Sequence, residues 1–375
     1  MTPEIHLFII WEKGRVKEKQ ILTDMLSRFN VLHIEEICWS DALFSRNLTR
    51  FYGENLPSSS EKIVHCGSGP FLLIVVKDES PLYKYRKTTK GTQEVNVNIF
   101  DAKELYRYWT GGGHKIHATN SQKEVNHDLT LLTGSNAIDF TKQYKEKETI
   151  CIDNKLKSRR DLLGAKGWTS FKQIIYALNN CTQYVFLRNF GGFPDEVTTG
   201  EHGDVDVLCE NLKQTEFVLD SNKVFSSSFR VRERVNLNGE DLFFDLRHIG
   251  DNYYDIRWEK EMLNSRILKD GLFYIPSNEN YLYSLLYHAL IHKARISNDY
   301  KNIFNNLIDD RNRVNDMNVE NYSSILSAFM NRNEFEYTFP NDYSVYYNSK
   351  NSNRGESFNH WIKRNAYMVK SRVMK

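Results

Sequence analysis

Two short runs in this chain carry side chains that could do chemistry on phosphate. The first is His117-Ala118-Thr119-Asn120-Ser121, followed by Asp128. It lies after Gly111-Gly112-Gly113 and just ahead of a predicted helix over 121–132, where Val125, Leu129 and Leu132 share a face. A helix N-terminus offers unpaired backbone N–H groups and a favourable dipole to a phosphate. A neutral imidazole nitrogen can attack a phosphoryl group, while a carboxylate on the other nitrogen fixes the tautomer and stabilises charge. Asp128 could take that part if the helix folds back beside His117. A lone histidine is also an ordinary core or surface residue.

The second run is His202-Gly203-Asp204-Val205-Asp206-Val207-Leu208, preceded by Phe190-Gly191-Gly192. On a strand, alternation puts Asp204 and Asp206 on one face. Adjacent carboxylates repel unless a cation sits between them. Magnesium takes hard oxygen ligands and bridges to phosphates. Asp245, in Phe243-Phe244-Asp245-Leu246, offers a third carboxylate from a second strand, and its apolar flanks make burial without a metal costly. The competing reading is an exposed strand end with ordinary aspartates. Downstream, a helical stretch over 281–296 carries His288 and His292 on one face, with Lys293 offered to phosphate; the alternative is an aromatic packing helix. Arg188, Arg230, Arg232 and Arg247 lie near the aspartates in sequence, and the guanidinium fork suits phosphate.

The elements that must position these groups follow from hydrophobic periodicity. Strands are predicted over 5–10, 31–38, 71–76 and 95–99, and a helix over 20–29. Residues 142–166 are polar and charged with little periodicity, so 141–166 reads as a linker between domains at 1–140 and 167–375. Beyond it come a helix over 168–178 capped by Thr169 or Ser170, and strands over 184–188, 205–208, 229–237 and 241–248. Asn238-Gly239 between the last two is a hairpin signal. The chain from 281 onward reads as mostly helical.

Residues 5–135 resemble nucleoside-diphosphate kinases in the order and spacing of several pieces. His6-Leu7-Phe8-Ile9-Ile10 followed by Gly14 is similar to that family's first strand and loop. Phe51-Tyr52 resembles its His-Tyr element, and Ser68-Gly69-Pro70 its Ser-Gly-Pro. Arg86 and Thr92 keep the spacing of two phosphate-contacting positions. His117 to Ser121 resembles the family's His-Gly-Ser-Asp-Ser, and Asp128 stands where the family has a glutamate. The resemblance implies a ferredoxin-like α+β domain and a transiently phosphorylated His117, with magnesium and a nucleoside triphosphate. It assigns nucleotide contacts to Tyr52, Arg86 and Thr92, to Lys13 near the family's lysine, to Arg107 with a short deletion, and to His114 at an asparagine position. The family's lysine position itself falls near Trp11, and its base-stacking phenylalanine falls in Ser58-Ser59-Ser60.

Residues 168–248 resemble the nucleotidyltransferase superfamily, whose signature is Gly-Gly, then Asp-x-Asp, then a later Asp. The likeness implies a mixed sheet with a helical C-terminal region. Gly191 and Gly192 would approach the nucleotide phosphates, Asp204 and Asp206 would hold magnesium, and Asp245 would help align the attacking group. Arg188 and Lys293 are added as phosphate contacts. Pro194, Asp195 and Gly200 between the two parts of the signature depart from the usual helical segment.

The bulk composition narrows the class. Across 375 residues, 50 basic side chains meet 48 acidic ones, which argues against a dedicated nucleic-acid binder. Cys38, Cys66, Cys151, Cys181 and Cys209 form no Cys-x-x-Cys pair, which favours a reducing, cytoplasmic setting. The first residues are too charged for a signal peptide, and no run reaches the ~20 apolar residues of a membrane span. The basic tail over 363–375 reads as a solvated end.

The expected function is a two-domain magnesium-dependent nucleotidyl or phospho-group transferase, α+β or α/β in class, using ATP or CTP. A small-molecule or glycan acceptor is expected, as in activated-sugar, activated-alcohol or surface-glycan synthesis. Two alternatives stay open. In one, the kinase-like domain is a binding or homo-oligomerisation module. In the other, the second domain is an RNA-modifying or toxin-like nucleotidyltransferase.

Overall fold

The computed structural model describes residues 2–57, 59–88, 91–143, 155–200, 203–225, 232–307, 319–352, 355 and 358–373. Ser58, Cys151, His202 and Arg230 lie outside the described residues. The chain is mixed α+β and divides into two compact units, Met1–Trp168 with Phe217–Asp220, and Thr169–Glu216 with Ser221–Lys375.

The first unit runs β1 (Glu4–Ile10), α1 (Glu18–Arg28), β2 (Asn30–Cys38), α2 (Phe44–Tyr52), α3 (Glu61–Cys66) and β3 (Phe71–Asp78). It continues with a hairpin of β4 (Tyr83–Thr88) and β5 (Gly91–Asn96), then α4 (Val97–Trp109), β6 (Ile116–Ala118), α5 (Gln122–Thr133), α6 (Ala137–Gln143) and β7 (Leu156–Arg159). Its main sheet has the order β6-β1-β3-β2-β7. The central contacts are antiparallel, and β7 adds to β2 in parallel. Strand alternation divides the side chains between two faces. Phe8, Ile10, Leu72, Ile74, Ile116 and Ala118 face α1 and α4, where Ile21, Met25, Ile99 and Tyr106 complete a buried core. His117, between Ile116 and Ala118, therefore points to the opposite face.

Most sequence-predicted elements of this unit form with ends shifted by a residue or two. Two differ in kind. The alternation over 95–99 ends as a strand at Asn96, whose side chain accepts a 3.0 Å hydrogen bond from Asn98 N and caps α4. The cap diverts Val97 and Ile99 onto a helix face. The stretch 141–166, read as a linker, contains β7, and the first unit extends to Trp168. Leu-Lys-Ser-Arg carries no apolar alternation because it is an edge strand held by its backbone pairing to β2.

The second unit contains α7 (Phe171–Cys181), β8 (Tyr184–Phe186), β9 (Asp204–Cys209), α8 (Leu212–Leu219) up to Glu216, β10 (Asn222–Lys223), β11 (Glu233–Leu237) and β12 (Glu240–His248). After these come α9 (Ile256–Asn264), the β13 (Ile267–Lys269) and β14 (Phe273–Ile275) ribbon, α10 (Asn278–Ile291), α11 (Asn298–Leu307), α12 (Val319–Arg332) and α13 (Phe358–Val373). The sheet order is β10-β11-β12-β9-β8, with β12 and β9 parallel. Asn238 and Gly239 turn the β11–β12 hairpin at φ 53° and 88°, the left-handed pair that such a two-residue turn requires. Ser170 caps α7, accepting from Gln173 N. The helix read over 281–296 ends at Ile291, so His292 caps it and Lys293 lies beyond. Val185, Leu187, Leu208, Tyr253, Tyr254 and Trp258 join α10 and α12 in the core of this unit.

Ile74 sits on the central strand of the first sheet, fully buried within its core. Ile74→Ala is expected to cost about 2–5 kcal/mol, as truncation leaves a cavity there. Urea unfolding read by circular dichroism checks this; an unchanged midpoint would argue against that core.

Candidate functional site

In the first unit, β6 delivers His117 beside β1, with Ile9 opposite it in register. Ser121 caps α5, and Glu124 answers as in a capping box by accepting from Asn120 N at 2.6 Å. The helix folds back so that buried Asp128 meets His117 Nε2 at 2.7 Å and His127 Nδ1 at 2.8 Å. Burial works to raise the Asp128 pKa, but the bonds to His117 and His127 outweigh it and hold the carboxyl below its ordinary range. A carboxylate only accepts, so Nε2 of His117 donates to Asp128, and in a neutral ring the lone pair lies on Nδ1. Among the described residues, the His117 side chain makes no other hydrogen bond. Phe51 and Tyr52 from α2 close over the ring edge-on, at 5.1 and 5.7 Å between centroids.

Other residues read for this site fall into two groups. Tyr52 is in place, accepting from Trp11 Nε1 at 3.0 Å. Arg107 lies alongside, its Nε donating to the Ile116 carbonyl at 3.1 Å. His114 lies near His65, at 5.7 Å between ring centroids and tilted by 35°. Lys13 is exposed, and the fully buried Trp11 holds the position after β1. Arg86 sits on the β4–β5 hairpin, bonded to Asp101 at 3.3 Å, and exposed Thr92 faces Lys87 there. The sequence reading missed Glu124 and His127. The Ser-x-x-Glu spacing was the available signal for the first, and adjacency to Asp128 for the second.

In the second unit, parallel pairing of β9 with β12 sets Asp206 directly opposite Asp245, and Asp204 opposite Phe243. The three aspartates therefore share one sheet face. Each meets an arginine. Arg188, just after β8, bonds Asp206. Arg232 meets Asp204 at 2.8 Å and stacks over Phe243, 4.1 Å from the ring centroid. Arg247 lies 3.6 Å from Asp245 and 3.2 Å from Asp342, with Tyr253 under its guanidinium at 4.4 Å. Burial raises the Asp206 pKa, Arg188 and Arg247 opposing and Asp204 adding to it. Asp245 is pushed up to about 6 by burial, with Arg247 opposing and Asp206 and Asp204 adding their repulsion. At Asp206 and Asp245 burial therefore outweighs the neighbouring arginines.

Gly191 and Gly192 lie in a turn over 191–195 rather than at the start of a helix. A side chain at Gly191 would meet nothing within 4 Å, whereas one at Gly192 would press on Glu196 Cβ at 2.8 Å. The need for glycine at 192 is thus met by its own turn. His288 accepts or donates within a 2.8 Å bond to the Tyr253 hydroxyl and packs in the core, and Lys293 is exposed. Asp342 was not foreseen: it lies far along the chain, in a stretch with no motif around it.

Among the described residues, His117, Glu124 and Asp128 bring metal-ligand atoms within 4.8 Å of one another. Asp204, Asp206 and Asp245 do not converge to that distance, because each carboxylate turns to its own arginine. No helix among the described residues is long and apolar enough to cross a membrane. Comparison with family models, curated proteins and solved structures finds no match for this chain.

The fold disfavours ionised Asp245, so metal-free protein is expected to lose stability as pH rises from 3.8 toward about 6. Cation binding gains over that same window, as the proton stops competing. Magnesium is therefore expected to raise the thermal midpoint above pH 6 and to do little below it, with Asp245→Asn abolishing the step. Thermal melts across pH with and without magnesium check this. A midpoint indifferent to magnesium at every pH would remove the cation site.

Proposed function

We propose that the second unit is a magnesium-dependent nucleotidyltransferase. The observation that carries this reading is the register of Asp206 against Asp245 on adjacent parallel strands, with Asp204 on the same face. Three carboxylates gathered on one sheet face, two of them held above their ordinary range by burial, fit a hard divalent cation. Asp204, Asp206 and Asp245 would hold it, with the arginines released toward phosphate. A bound magnesium ion supplies positive charge to the triphosphate oxygens. Arg188, Arg232 and Arg247 are then free to orient the phosphates through planar forks. Asp245 would also help align an acceptor hydroxyl, whose proton passes to water as the new oxygen–phosphorus bond forms and pyrophosphate leaves. The acceptor in this reading is a small molecule or glycan, since the chain has no strong basic excess for nucleic acid.

For the first unit, two readings have specific support. The strand order β6-β1-β3-β2 and the path through β1, α1, β2, β3, α4 and β6 support a ferredoxin-like reading. Together with the unencumbered Nδ1 of His117, this supports a phosphohistidine function like that of nucleoside-diphosphate kinases. Buried Trp11 at the family's lysine position, and Arg86 paired with Asp101 on its hairpin, favour a binding module instead.

With α-labelled ATP or CTP, magnesium and a panel of hydroxyl acceptors, labelled product is expected. Asp206→Asn should lower its yield about a hundredfold or more, as metal stabilisation of the transition state is lost. Label appearing only on transfer RNA would turn the reading to an RNA-modifying enzyme, and label on neither would end it. With γ-labelled ATP, phosphohistidine is expected as acid-labile, alkali-stable label that disappears in His117→Ala; wild type without label would leave the module reading.

A further inference from the structure

The last helix of the second unit, α13, turns its apolar side outward. Phe358, Trp361 and Ile362 are 73%, 49% and 43% exposed. The Phe358 and Trp361 rings stack at 6.2 Å between centroids, 11° from parallel, so these residues form one patch and not scattered singles. The helix is held to its own unit by another side. His360 packs against Phe339 at 4.9 Å and Tyr343 at 5.4 Å, and its Nε2 lies 3.3 Å from the Pro340 carbonyl oxygen. At 3.6 residues per turn, His360 sits roughly 100–160° around the helix from Phe358, Trp361 and Ile362. An amphipathic helix that packs for folding alone would bury its apolar side. This one spends its polar side on the fold.

Charge indicates what the outward side meets. From Phe358 to Lys375 the sequence has Lys363, Arg364, Lys370, Arg372 and Lys375 and not one Asp or Glu. An exposed Phe, Trp and Ile patch in a segment that carries basic and no acidic residues is the composition of a helix that lies in the plane of an anionic lipid surface. There the rings enter the headgroup boundary, and exposed Lys363 keeps its charge at the phosphates.

We propose that α13 is a peripheral membrane anchor that seats the second unit on an anionic bilayer through Phe358, Trp361 and Ile362. It requires no membrane-crossing helix, and it does not depend on the nucleotidyltransferase reading. Co-sedimentation of the full chain with phosphatidylcholine vesicles, with and without phosphatidylglycerol, tests it. The protein is expected to pellet with the anionic vesicles and to be released by added salt. Phe358→Ser with Trp361→Ser and Ile362→Ser should reduce partition at least about tenfold, since both ring contacts are lost. Lys363→Glu with Arg364→Glu should reduce it by a similar factor, each basic residue contributing roughly fivefold near such a surface. Unchanged circular dichroism and thermal midpoint identify the variants as folded. The proposal is overturned if wild type stays in the supernatant with both vesicle types, or if partition survives the triple substitution. It is also overturned if wild type is a dimer by light scattering that the triple substitution dissociates, since a second copy would then cover the patch.

Discussion

Charge taken into a protein must be answered close by, and in the second unit this demand governs the layout around the sheet. Asp206 and Asp245 are neighbours across two parallel strands, both largely withdrawn from water. Arg188 and Arg247, both buried, are drawn to them, and Arg247 is shared with Asp342. Tyr253 supports that guanidinium with its ring and ties its hydroxyl to His288. Each of these groups would be expensive alone. Together they make a polar centre embedded in an aromatic core, in which burial pushes the Asp245 carboxyl up to about 6.

The first unit handles buried charge on a smaller scale. One carboxylate, Asp128, accepts from two histidines, and the pair His117–Asp128 is enclosed by Phe51 and Tyr52. The bond to His117, with that to His127, holds the Asp128 carboxyl below its ordinary range and orients the His117 ring. Trp11, with Trp39 and Phe71 packed around it, fills the space beyond Tyr52 and makes this side of the sheet more apolar than a site built around a lysine would be.

Much of the local structure was legible from residue order. The apolar runs at β1, β2 and β3, the Ser170 cap of α7 and the Asn-Gly turn of the β11–β12 hairpin appear where propensity and cap chemistry put them. Reading failed where local pattern and context disagree. Val95, Val97 and Ile99 alternate like a strand, yet Asn96 starts a helix between them. Leu156–Arg159 looks like linker because an exposed edge strand needs backbone pairing more than apolar side chains. Arg86 and Thr92 keep a suggestive spacing but sit on a hairpin, with Arg86 paired to Asp101.

The sequence by itself determined which side chains could act and which of them share a strand or helix face, because those relations follow from fixed backbone periods of two and 3.6. It also determined the caps and the tight turn, which rest on single side chains bonding to nearby backbone. Only the tertiary structure decided that Asp206 stands opposite Asp245, that Asp128 reaches His117, that Arg247 is shared with Asp342, and that α13 faces outward with Phe358 and Trp361. Those pairings join residues whose separation carries no local signal. They are selected by the burial and charge balance of whole sheets and cores, summed over many contacts that no short stretch of sequence contains.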